Sequence, residues 1–128
     1  MSGTSTRITP AQAWNNLKAG NERFVAGEPD HPNQGIVHRA VLADGQSPNV
    51  VLFGCSDSRV AAEMIFDQGL GDMFVVRTAG HIIDSSVLGS LEFATELLTV
   101  PLIAILGHDS CGAVGSTVAS LNDLTIPG

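Results

Sequence analysis

From Pro48 onward, short apolar runs alternate with longer mixed segments, and the rhythm predicts alternating strands and helices. Asn49–Gly54, Asp72–Arg77 and Pro101–Leu106 read as strands; Val60–Phe66, Ser85–Leu98 and Gly112–Leu121 read as helices. The runs around Val50–Phe53 and Leu102–Leu106 have the length of buried strands. Such alternation implies right-handed crossovers and a parallel sheet buried on both faces, so the expected fold is α/β, three-layered, with a mainly parallel central sheet. Before Pro48 the pattern differs. Thr9-Pro10 is a helix N-cap followed by proline in the first turn. Ala11–Ala26 then reads as an amphipathic helix with Trp14, Leu17 and Phe24 as apolar markers and Gly20 as a break or bend. Gly27–Gly35 is a loop, and His38–Asp44 a short helix ending at Gly45.

The chain has 128 residues, enough for one domain spanning 1–128. Within it, 1–8 is expected to be disordered, 9–45 a helical N-terminal arm and 49–128 the α/β core. Apolar residues make up 44% and charged residues 15%, a composition that can bury a core. No window reaches the roughly 18 apolar residues of a membrane span, and Met1–Thr6 lacks the apolar centre of a signal peptide. The expectation is therefore a cytoplasmic protein without a membrane partner. The net charge of −7 comes with no Lys/Arg stripe, which argues against nucleic acid as a partner.

Two segments carry chemistry, and each directly follows a predicted strand: Cys55-Ser56-Asp57-Ser58-Arg59 after the first, His108-Asp109-Ser110-Cys111 after the third. Ligands in open α/β sheets bind beyond the carboxyl ends of strands where the strand order reverses. A sheet order beginning 2-1-3 would bring both segments to one crevice. Cys55, His108 and Cys111 would then form a Cys2His set with one open position, the arrangement of a catalytic zinc. Cys111 at the start of a helix favours its thiolate. Each feature also has a plain structural reading. Cys55 can be core, Asp57 and Arg59 an exposed ion pair, and Ser58 or Asp57 a helix cap.

The pair Cys55-x-Asp57-x-Arg59 and His108-x-x-Cys111-Gly112 resembles the β-class carbonic anhydrases. The similarity extends through Met73–Arg77 and Gly107–Gly112 and reaches back to the Trp14–Phe24 helix. The resemblance implies reversible hydration of carbon dioxide to bicarbonate and a proton by a zinc-bound hydroxide, with one zinc per chain. It implies that Asp57 orients that hydroxide or, in another state, is itself a zinc ligand, and that Arg59 holds Asp57 by a bidentate ion pair. Gln34 would hydrogen-bond substrate in a neighbouring subunit's site, and the Gly112 amide would donate to an anion at a helix N-terminus. A homodimer or an assembly of dimers follows from the same resemblance.

Departures from that pattern set the alternatives. Arg77-Thr78-Ala79-Gly80-His81 replaces a usual Arg-Asn run, and His81 reads as a surface histidine or a proton-transfer group. Leu52 stands where some members carry a regulatory tryptophan. The chain stops at Ile126-Pro127-Gly128, earlier than members of the family, so a C-terminally truncated core with an unpaired third strand is expected. A zinc-stabilised structural or inactive form, and hydrolysis of another small molecule such as carbon disulfide at the same site, are the alternatives. A thiol hydrolase would leave Cys55, Asp57 and Arg59 without a role. The Gly107–Gly112 spacing lacks the Lys and Ser/Thr of a phosphate-binding loop.

Overall fold

In a computed structural model, residues 7–123 are described; residues 1–6 of the expected disordered start and the loop reading at 126–128 lie outside them. Helix α1 (Pro10–Ala26) begins with a full capping box. Thr9 Oγ1 accepts from the Gln12 amide, and the Gln12 side chain accepts from the Thr9 amide. Gly27 at φ 71° closes it in the left-handed conformation. The expected break at Gly20 is absent. Gly20 instead lies where α1 crosses the segment after β1, and an added Cβ would sit 1.8 Å from the Phe66 carbonyl oxygen. The buried stripe is Ala13, Leu17 and Gly20, while Trp14 and Phe24 remain about half exposed. Ala13 and Gly20 permit the close approach around Leu17, while the two aromatic side chains stay at its margin.

The predicted helix at 38–44 is α2 (Ile36–Val41) continued by a 3₁₀ turn to Asp44. The core follows as β1 (Val50–Cys55), α3 (Ala62–Ile65), β2 (Met73–Thr78), α4 (Ser85–Glu92), β3 (Ile103–Leu106) and α5 (Gly112–Asp123). Asp84 caps α4 by accepting from the Val87 amide, and a π-helical turn over Phe93–Leu97 extends it. The strands form one parallel sheet in the order β2-β1-β3, which is the order the shared crevice requires.

Strand β1 is buried along its whole length. Val51 on one face packs with Ala94 and Val100 behind α4; Val50 and Leu52 are equally sequestered on the other. The expectation that every strand is buried on both faces does not hold. Ile103 and Ile105 of β3 lie on the Val51–Phe53 face, yet Ile105 is 72% exposed. Among the described residues β3 pairs only with β1, so its outer edge is open, as expected.

Arg23 and Asp67 lock α1 to the core. Buried Asp67 accepts from Arg23 Nε at 2.7 Å and from the amides of Asp30 and His31. The adjacent guanidinium holds its carboxyl below the usual carboxylate range. Asn21 donates to the Ile65 carbonyl on the same contact. Gly20→Ala should therefore cost about 1–3 kcal/mol, the usual penalty of forcing extra atoms into a packed contact. Gly89→Ala in α4, where an added Cβ meets nothing within 4 Å, should be neutral or stabilising by about 0.5–1 kcal/mol. Urea denaturation of the two variants beside the parent checks the contrast.

Candidate metal centre

Cys55 ends β1, and Gly54 is level with Leu106 of β3, so the chain leaving β3 runs past the Cys55 thiol. The turn that follows carries Ser110 at φ 53°. This left-handed residue folds the segment sharply enough for His108 and Cys111 to face one point. The donor atoms of Cys55, His108 and Cys111 lie within 4.8 Å of one another. The two sulfurs are 3.8 Å apart and unlinked.

His108 is oriented for ligation. Its Nδ1–H donates to the Asp109 carbonyl at 2.8 Å, which leaves the Nε2 lone pair free. That Nε2 is buried and has no hydrogen-bond partner. A buried ring nitrogen without a partner, facing two thiols, fits a metal ion, and the sulfur-nitrogen donor set suits zinc.

The thiol of Cys55 is poised for the same role. Its pKa is drawn from 9.0 down to about 6, first by the Asp57 amide, then by the neighbouring His108 and the Gly80 amide. Both amides donate to the sulfur at 3.4 Å. His108 is shifted upward, chiefly by facing Cys55.

Asp57 and Arg59 form the expected fork. Arg59 Nε donates to Oδ1 at 3.0 Å and its terminal nitrogen to Oδ2 at 2.6 Å, and its amide also donates to Oδ1. These bonds hold the Asp57 carboxyl far below its ordinary range. Arg59 also donates to the Ser110 carbonyl, so one guanidinium spans both motifs. Asp57, Cys111 and Gly112 line a cleft of about 290 Å³ with Cys55, Ser56, Ala79 and Ala113. Gln34 lies elsewhere, in a groove with Phe24, Met64 and Asp67. Ser58 caps no helix; α3 begins after Ala61 without a side-chain cap.

The structure gives Arg77 a role that its place in the sequence did not suggest, and it corrects one reading of His81. Arg77 of β2 donates from Nε to the Cys55 carbonyl and from its terminal nitrogen to the Asp57 carbonyl. His81 is not a surface histidine. Its Nε2–H donates to the Leu106 carbonyl at 2.8 Å and its ring packs edge-on against Phe53. The side chain sits in the helical turn after β2, level with the end of β1, and that placement is what a search of strand ends beyond the two motifs would have flagged.

A family model described as carbonic anhydrase matches residues 50–126. The chain is 69% identical over 119 residues to a protein named carbonic anhydrase 2 from Mycobacterium tuberculosis, covering 93% of this chain and 58% of that protein. It is 64% identical over 118 residues to a carbonic anhydrase of Mycolicibacterium smegmatis, with coverage of 92% and 57%. A tetrameric β-carbonic anhydrase from Sordaria macrospora superposes with a TM-score of 0.62 at 31% identity, over 92% of this chain and 55% of that one. The chain thus spans less than two thirds of the curated relatives it matches.

The lowered Cys55 pKa gives a signed prediction. In metal-free Cys111→Ser protein, the thiolate ultraviolet absorbance should rise around pH 6 and not near 9.0. Because the folded thiol is the more acidic, its contribution to stability is lost as pH falls through about 6 and is complete only above 9.0. A titration centred near the ordinary thiol value would remove the hydrogen-bonded thiolate from the account.

Proposed function

The chain belongs to the carbonic anhydrase family, of the β type, and on that premise we propose that the protein interconverts carbon dioxide and bicarbonate with one zinc per chain. The observation that carries the reading is the convergence of buried, unpartnered His108 Nε2 with the Cys55 and Cys111 thiols. Zinc held there supplies a hydroxide nucleophile at neutral pH by acidifying water to a pKa of about 7.

The chain's own residues direct that nucleophile. Asp57, ionised by Arg59 and lining the cleft, accepts the nucleophile's O–H and aims its lone pair at carbon dioxide. Arg59 keeps the carboxylate turned by two parallel bonds, a geometry suited to its planar fork. Both carboxylate oxygens are engaged by Arg59, which favours Asp57 as orienter over Asp57 as a permanent fourth ligand, and so favours the enzyme over the inactive structural form. Gly112, first residue of α5, offers its amide to the forming bicarbonate. Gln34 would serve the site of a second copy, and half-exposed Trp14 and Phe24 on α1 support a homodimer or an assembly of dimers. No helix among the described residues is long and apolar enough to cross a membrane, in keeping with a proposed cytoplasmic location.

Stopped-flow hydration of carbon dioxide tests the reading. The zinc-loaded chain should turn over faster as pH rises from neutral to mildly alkaline, and chelator-stripped protein should not; zinc-bound protein inert at every pH would sink the proposal. Cys55→Ser and Cys111→Ser should each lose stoichiometric zinc, as read by elemental analysis. Asp57→Asn should keep zinc and lose about 100-fold or more in kcat, in the range for a group acting on a proton in the transition state. Full activity in that variant would remove Asp57 from the mechanism.

A further inference from the structure

Arg77 sits one residue before the end of β2, level with Gly54 of β1. Cys55 still pairs with Thr78, but from there the chain leaves the sheet, and its carbonyls lose their regular ladder partners. Arg77 reaches across and takes two of them, the Cys55 oxygen at 2.8 Å and the Asp57 oxygen at 2.7 Å. These carbonyls bracket Ser56, within the three residues that carry one thiol donor and the carboxylate. Among the described residues no carboxylate pairs with Arg77, so its partly buried fork is given wholly to this backbone.

We infer that Arg77 is a positioning residue for the metal centre, bridging two carbonyls to fix the backbone from Cys55 to Asp57 and with it the directions of the Cys55 sulfur and the Asp57 carboxylate. It touches neither the donor atoms nor the cleft. Two further bonds from the same strand end act in the same sense. The Gly80 amide donates to Cys55 Sγ, and His81 holds the Leu106 carbonyl two residues before His108. The segment from Arg77 to His81 therefore braces both ligand-bearing loops. A lysine cannot replace the arginine, because its compact ammonium lacks the planar fork that spans two acceptors. The inference rests on reading Cys55, His108 and Cys111 as a zinc site.

Zinc affinity of the full 128-residue chain, measured by competition with a chromogenic chelator, tests it for the parent, Arg77→Lys and Arg77→Gln. Both variants should bind about 10- to 100-fold more weakly, the usual effect of removing a group that orients metal ligands. Their cobalt-substituted forms should show a shifted thiolate charge-transfer band, and the lysine variant should not rescue either property. Variants matching the parent in affinity and cobalt spectrum would overturn the inference alone. A parent that binds no zinc would overturn the site reading, and this inference with it. A measurement on the unmutated protein is independent of how the variants fold. In the zinc-loaded parent the Arg77 Nε–H should exchange slowly with solvent in nuclear magnetic resonance, and free exchange would refute the bridge.

Discussion

The parallel pairing of β1 with β3 is the constraint on which the site depends. Three donor atoms from segments far apart in sequence must face one point, and only adjacency of these two strands at their carboxyl ends brings them there. The register is as important as the adjacency. With Gly54 level with Leu106, Cys55 stands beside the start of the Gly107–Cys111 turn. A slip of one residue would move the thiol by about 3.3 Å and turn it to the other face of the sheet. Complete burial of β1 opposes such a slip, because every alternate side chain would change its surroundings together.

The charge arrangement follows from the same geometry. Two thiols close to each other and to an ionised carboxylate would repel as anions, in a chain whose net charge is already −7. Local donors offset this. The amides of Asp57 and Gly80 point at Cys55, Arg59 pairs with Asp57 and bonds to the Ser110 carbonyl, and Arg77 lies behind the Cys55–Asp57 backbone. The net acidity of the chain therefore says little about its site, where Arg59 and Arg77 and the two amides supply the local positive potential.

The donors were legible in the sequence because their signal is local: each motif follows an apolar run, and a topological rule brings the strand ends together. The same rule named the strand order that would bring the two motifs together, and the sheet has that order. The face of α1 was legible only at Leu17, which is buried as its apolar character implies; the rest of that face is set by close backbone approach. Ala13 and Gly20 go inside because they are small, and Trp14 and Phe24 stay at the margin although they are more apolar. Exposure of Ile103 and Ile105 was hidden as well, because an apolar run reports what a strand can bury and not what lies against it. Arg77 as a brace escaped notice, and His81 was read only as a surface or proton-transfer group, because their partners are backbone carbonyls of other segments, which leave no mark on residue identity.

The two halves of the site are unequally supported, and this gives the metal a structural consequence. Cys55 hangs from a buried strand and is pinned by Arg77, Gly80 and the Asp57 amide. His108 and Cys111 lie between β3, whose Ile105 is largely exposed, and α5, which buries none of its described residues. Their attachment to the Cys55 half runs through Arg59 to the Ser110 carbonyl and His81 to the Leu106 carbonyl. An ion held by donors from both halves ties the less supported loop to the better supported strand, so its binding free energy also stabilises the β1–β3 pairing. Protons compete for those donors, and acidification through the Cys55 pKa of about 6 weakens the metal's hold and that cross-link together.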